Sequence, residues 1–210
     1  MRTSGNPTVY RRELKGRILE VAMREFKHKG VRSVRMDDIA QLLSISKRTL
    51  YEIYSDKQEL LLEGIRHEES QKDQLLSSFA TKGKKKNAID IIVEFYRIQI
   101  HELANVNPLF YEDVKKFKKV REYLHERHLI HQQRGLDFLK RGVKDGYFRK
   151  DVDYNLISQL AEDISRFVLE SRMYNEYSLE HIFRNIIFLF FRGFSTPKGI
   201  EVMDKLLVDE

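Results

Sequence analysis

Val34 to Lys57 reads VRMDDIAQLLSISKRTLYEIYSDK, two short helical segments around a tight turn. Met36 to Leu43 has the spacing of a short helix with Ile39, Leu42 and Leu43 turned inward. Ala40 is small where a second helix must cross closely. Ser44-Ile45-Ser46 makes the turn: Ile45 is expected between the helices, and Ser46 can cap the second of them. Lys47 to Tyr54 is then a two-turn helix whose Leu50 and Tyr54 face the core. Lys47, Arg48, Thr49 and Tyr51 are left outside. Ser55-Asp56-Lys57-Gln58 opens the next helix as a Ser-x-x-Gln capping box. Long cations at the start of a short helix suit a major groove, where they pair with guanine O6 and N7 while hydroxyls bond phosphates.

On either side the chain reads as helix throughout, so the expected fold class is all-α. Only Pro7, Pro108 and Pro197 interrupt 210 residues, and apolar residues recur at three and four. Leu14, Ile18, Ala22 and Phe26 form one stripe, closed by Gly30. Leu60, Leu61 and Ile65, then Leu75, Leu76 and Phe79, form a weaker one. Ile89, Ile92, Tyr96 and Leu103 mark a helix opened by Asn87, and Asn107-Pro108 starts another. Leu124, His128, Leu136, Leu139 and Val143 lie along a helix that stops at Gly146. Leu156, Leu160, Ile164, Phe167 and Val168 mark the next, and Ile182, Ile186, Leu189 and Phe190 the one after. The expected organisation is an N-terminal disordered arm at 1–11, a DNA-binding domain at 12–57, a connecting helix at 58–80 and a helical body at 81–210.

Charge separates the same parts. Residues 1–57 hold 13 basic and 7 acidic residues, the whole of the +6 excess; residues 58–210 hold 25 of each. A basic head over a neutral body suits a polyanionic partner. Thr81 to Asn87, polar and rich in lysine, reads as a solvated loop between them. Cysteine is absent, which fits a reducing compartment and excludes a disulfide scaffold or a thiolate metal site. The longest apolar run, Ile186 to Phe191, is far below the ~20 residues that span a bilayer. No signal peptide is expected, and the expected location is cytoplasmic, with no membrane partner.

The segment Gly30 to Leu60 resembles the DNA-binding domain of the tetracycline-repressor (TetR) family. It has Ile39-Ala40 in the second helix, Ile45-Ser46 in the turn, Thr49-Leu50-Tyr51 in the third helix and Lys57 opening the fourth. The resemblance implies that Lys47 and Arg48 read bases and that Thr49, Tyr51 and Lys57 hold phosphates, with Ser46 completing the DNA-facing set. Arg35 stands where the family carries a capping threonine; it cannot cap but can reach a phosphate. Ser44 replaces the turn glycine. It either accepts a left-handed conformation, at ~1–2 kcal/mol, or the turn is shaped differently. Farther on, Gly142 to Phe148 and Phe191 to Gly199 resemble the family's closing helices.

The resemblance also implies a body that dimerises and encloses an apolar or aromatic small-molecule effector. Nineteen of the 23 aromatic residues follow Lys57. Tyr96, Phe110, Tyr111, Phe117 and His128 are the ligand-binding candidates, although aromatics at helical spacing are also what an ordinary core contains. For dimerisation the candidates are Phe183, Ile187, Phe190 and Phe191, because a helix apolar around its girth is buried on several sides, together with Ala161, Ser165 and Val168, small or compact residues on the preceding helix that suit the contact. His125, His128 and His131 spread over ~120° of one helix, too wide to converge on one metal. His128 reads instead as a partly buried histidine or a pocket hydrogen-bonder. No cofactor, metal or catalytic motif is read, so an enzyme is not expected. The expected function is a ligand-released repressor on a pseudopalindromic operator. The alternative is a DNA-binding regulator whose body only dimerises or meets proteins. The helix Ser55 to Phe79, loosely held at its polar middle His67 to Asp73, is the expected lever.

Overall fold

The computed structural model describes residues 7–83, 86–103 and 106–208; among other side chains, those of Leu103, Ser165, Tyr174 and Phe183 lie outside the description. The described residues are helical, joined by turns and one isolated antiparallel bridge, Phe148 to Ser195. The chain groups into two compact units, Met1–Lys72 with Asn105–Glu126, and Asp73–Ala104 with Arg127–Glu210.

The first unit holds α1 (Pro7–Lys29), α2 (Met36–Leu42), α3 (Lys47–Ile53), most of α4 (Lys57–Thr81), α6 (Pro108–Val114) and the start of α7 (Lys118–Lys144). Its core gathers Ile18, Ala22 and Phe26 of α1 with Ile39, Leu50, Tyr54, Leu60 and Leu61. The disordered arm expected at 1–11 is corrected over its described part: residues 7–11 are the first turns of α1, and Arg11 donates to the Glu52 carbonyl at 3.1 Å. The remainder of that arm, 1–6, lies outside the described residues.

The expected boundary at residue 81 is also corrected, because 105–126 group with the head. Asn107 explains it. Its side-chain oxygen caps α6 at Leu109 N, 3.0 Å, while its own N and Nδ2 donate to the last carbonyls of α1, Lys27 at 2.7 Å and His28 at 3.1 Å. One residue thus starts α6 and finishes α1, whose terminal carbonyls need partners. Nor is the middle of α4 loosely held. In the first unit Tyr123 Oη donates to Glu69 at 2.8 Å. In the second unit Arg127 donates to Asp73 at 3.0 Å.

The second unit holds α5 (Ala88–Leu103), the rest of α7, α8 (Tyr154–Glu170), a 3-10 turn at Met173–Asn175, α9 (Leu179–Ile182), a π turn at Phe183–Ile187, α10 (Phe188–Phe194) and α11 (Pro197–Val208). Asn87 caps α5 as expected, accepting from Ile89 N and Asp90 N at 2.8 and 3.0 Å. The two glycine-bearing stretches lock together. Arg149 N donates to the Phe194 carbonyl at 2.9 Å, and Thr196 N to that of Tyr147 at 3.0 Å. A side chain on Gly142 would strike the Phe148 ring, and one on Gly199 the Tyr147 carbonyl.

Candidate nucleic-acid interface

The turn between α2 and α3 settles the alternatives open at Ser44, whose φ is +53°. Ile45 N donates to the Ala40 carbonyl and Ser44 N to that of Gln41, both at 3.0 Å, a Schellman closure that requires a left-handed residue at Ser44. Serine therefore accepts the strain. The next residue but one starts α3: Ser46 Oγ accepts from Thr49 N at 3.0 Å, and the Ser46 and Thr49 hydroxyls share a hydrogen bond of 2.8 Å. With the turn closed on both sides, α3 is anchored by Leu50 and Tyr54, both fully buried. Burial of Tyr54, with Glu63 nearby, pushes its phenol pKa upward, so it stays neutral.

This leaves Lys47, Arg48 and Tyr51 exposed on α3. Lys47 pairs with Asp37, and Arg48 with Glu52 at 2.9 Å. Exposed pairs of this kind contribute ~0–1 kcal/mol, so a phosphate or base edge displaces either carboxylate at small cost. Arg35 is exposed just ahead of α2. It makes no side-chain cap; instead Asp38 accepts from Arg35 N at 2.8 Å, which leaves the guanidinium outside the helix. Leu42, expected inward, is half-exposed, because α2 ends where the chain turns away.

Lys57 stands differently from its expected phosphate role. Its Nζ donates to the carbonyls of Val31 at 2.9 Å and Val34 at 2.8 Å, tying the start of α4 to the α1–α2 turn. Burial lowers its pKa. The cap of α4 is also one residue later than expected. Asp56 accepts from Glu59 N at 2.8 Å, and the Glu59 carboxylate takes the Ser55 N and hydroxyl at 2.8 and 2.6 Å. Gln58, freed from that task, accepts from Lys119 N at 3.1 Å. An aspartate followed three residues on by glutamate was the sequence signal for this arrangement.

The five ligand candidates do not gather. Phe110 is buried in the core of the first unit, with Tyr111 and Phe117 packed against that core. This corrects the expectation, since α6 closes on α1 and turns those rings onto it. Tyr96 belongs to the second unit and lies edge-on to Phe191 at 5.6 Å; burial pushes its phenol pKa up to about 12. His128, expected to be partly buried, is exposed and paired with Glu162 at 3.3 Å.

The dimer candidates divide too. Phe191 is buried in its own chain's core, and Ile187 and Phe190 pack against that core, so Phe191 is corrected to a core residue. Ala161 and Val168 are half-buried; the side chains of Ser165 and Phe183 lie outside the described residues. Among the described residues of α8 and α10, the large apolar side chains that face outward are others: Leu156 (63% exposed), Leu160 (49%) and Phe167 (61%) on α8, and Leu189 (66%) on α10. Spacings of four and seven put the three α8 residues on one face. The sequence carried that period, but a stripe reads the same whether its own chain or another covers it.

Residues 18–63 match the family model of the bacterial regulatory proteins, tetR family. Over 165 residues, 71% of this chain and 76% of the relative, the chain is 23% identical to the HTH-type transcriptional repressor KstR2 of Mycobacterium tuberculosis. The solved ketosteroid transcriptional regulator KstR2 of that organism is 20% identical, with a TM-score of 0.61 over 87% of this chain and 95% of its own. A transcriptional regulator from Saccharomonospora viridis, solved in complex with choline, is 20% identical, with a TM-score of 0.72 over 88% of this chain and 99% of its own. At such identities the solved structures share the fold.

Proposed function

We propose, from the match of residues 18–63 to the tetR-family model, that the protein is a homodimeric transcriptional repressor released from a pseudopalindromic operator by a small-molecule ligand. The observation that carries the DNA-binding part is the two-turn α3, closed by the Ser44 turn and capped by Ser46, with Lys47, Arg48 and Tyr51 exposed. Lys47 and Arg48 read base edges, while Tyr51, Thr49 and Arg35 hold phosphates. Lys57 acts through the α1–α2 turn and holds Arg35 in place. A symmetric dimer sets its two recognition helices about 34–36 Å apart, one turn of duplex.

Support for the dimer comes from the outward face of α8 and from α10, where Gly193 has open space around it and would let a second backbone come close. The partner of that face is its own copy about a two-fold axis. The effector part rests on the fold shared with the regulator solved with choline and on the aromatic core of the second unit, with Tyr96 supplying a hydroxyl. Such a ligand acts by favouring a conformation that binds DNA poorly, and shifts the balance by its difference in affinity for the two states.

The Lys47→Ala, Arg48→Ala variant tests the reading. It should lose about 1–3 kcal/mol for each base contact removed. Binding to random duplex should fall much less, and helix content and dimer mass should stay as in the parent. Unchanged discrimination between operator and random duplex would overturn the assignment of α3.

A further inference from the structure

Residues 115–121, KKFKKVR, place five cations and no carboxylate on the turn that follows α6 and the first turn of α7. Phe117, at their centre, packs against the core of the first unit, and the side chains of Lys115, Lys116, Lys118, Lys119 and Arg121 are all exposed. Lys118 has Glu122 at 3.8 Å, an exchangeable surface pair, while Lys116 has the buried Asp113 at 3.3 Å.

Two bonds fix where this turn lies in the head. Asp113, two residues before it, is buried, and its Oδ2 accepts from Arg32 N at 2.9 Å. Lys119 N donates to Gln58 at 3.1 Å. Lys119 also helps to hold the Glu59 carboxyl below its usual range, behind the larger effect of the hydrogen bonds from Ser55. Arg32 lies three residues before Arg35, and Gln58 directly follows Lys57. The cationic turn therefore extends the basic edge formed by Arg32 and Arg35 at the entrance to α2. Crowded like charges repel one another, and a neighbouring polyanion removes that repulsion.

We propose that the α6–α7 turn is a second, sequence-independent DNA contact that grips phosphates flanking the operator. The proposal rests on the DNA-binding reading above. If two lysines of each protomer each neutralise one phosphate, the dimer gains four contacts, and the slope of log affinity against log salt steepens by about 3.6.

The experiment compares a duplex that carries only the inverted repeat with one extended by about 10 base pairs, one helical turn, on each side. The parent protein should bind the extended duplex roughly tenfold tighter at low salt, with the steeper slope. A variant with Lys115, Lys116, Lys118 and Lys119 changed to glutamine should bind both duplexes equally, and the short one as the parent does. Uncharged methylphosphonate linkages in the flanks should remove the gain with the unaltered protein, which keeps the test independent of how the variant folds. A parent without a flank gain, or a variant or methylphosphonate duplex that keeps it, overturns the proposal. So does binding of the turn to phosphatidylglycerol vesicles without any flank gain. Failure of the parent to prefer the repeat over random duplex on either length is a distinct result and overturns the DNA-binding reading itself.

Discussion

Ser44 shows what one side chain costs and why it was only half legible. The turn around Ile45 was readable, but the sequence left two conformations open, and only the Schellman bonds choose between them. A serine at φ +53° carries strain that glycine does not. Ser44→Gly should therefore stabilise the protein by about 1 kcal/mol in urea unfolding, the relief of the left-handed penalty less the greater freedom of the unfolded chain. A loss of stability would mean that the hydroxyl has a partner worth more than the strain. Lys57 is the opposite case, a cation for which the family resemblance implied phosphate while its half-buried ammonium donates to the Val31 and Val34 carbonyls. Lys57→Met leaves the Val31 and Val34 carbonyls without their donor and should cost about 1–3 kcal/mol. If stability is unchanged and the salt slope of DNA binding falls by about one for each Lys57 lost, Lys57 is a phosphate contact instead.

Helices were readable because their caps and periods are local. Asn87, Asn107 and Gly30 all stand where the chain starts or stops a helix. What covers each face was not readable, because that depends on residues far away in sequence. The Phe110 stretch looked like pocket lining until Asn107 and Asp113 tied α6 to α1 and the turn after it. Phe191 looked like interface until α10 turned it into its own core, which left Leu189 outside. The dimer reading therefore moves to α8. Phe167→Glu places a charge in the middle of the proposed contact, where burial without a partner is costly. The variant should sediment as a monomer with unchanged helicity. Retention of the dimer mass would exclude this face.

Across the whole chain, the charge imbalance pointed to the right unit but not to its full extent. The first 57 residues carry the net excess, while the KKFKKVR turn is hidden in a segment whose total is neutral. Only the grouping of 105–126 with the helix-turn-helix brings that turn beside the basic edge. In the proposed function, two copies of this head read a symmetric duplex. The decisive experiment is selection of bound sequences from a random duplex library, with purified protein at near-physiological salt. The expected product is an inverted repeat with half-site centres about 10–10.5 base pairs apart, or a multiple of that. Recovery of unrelated sequences, bound with salt-sensitive affinity alone, would contradict it.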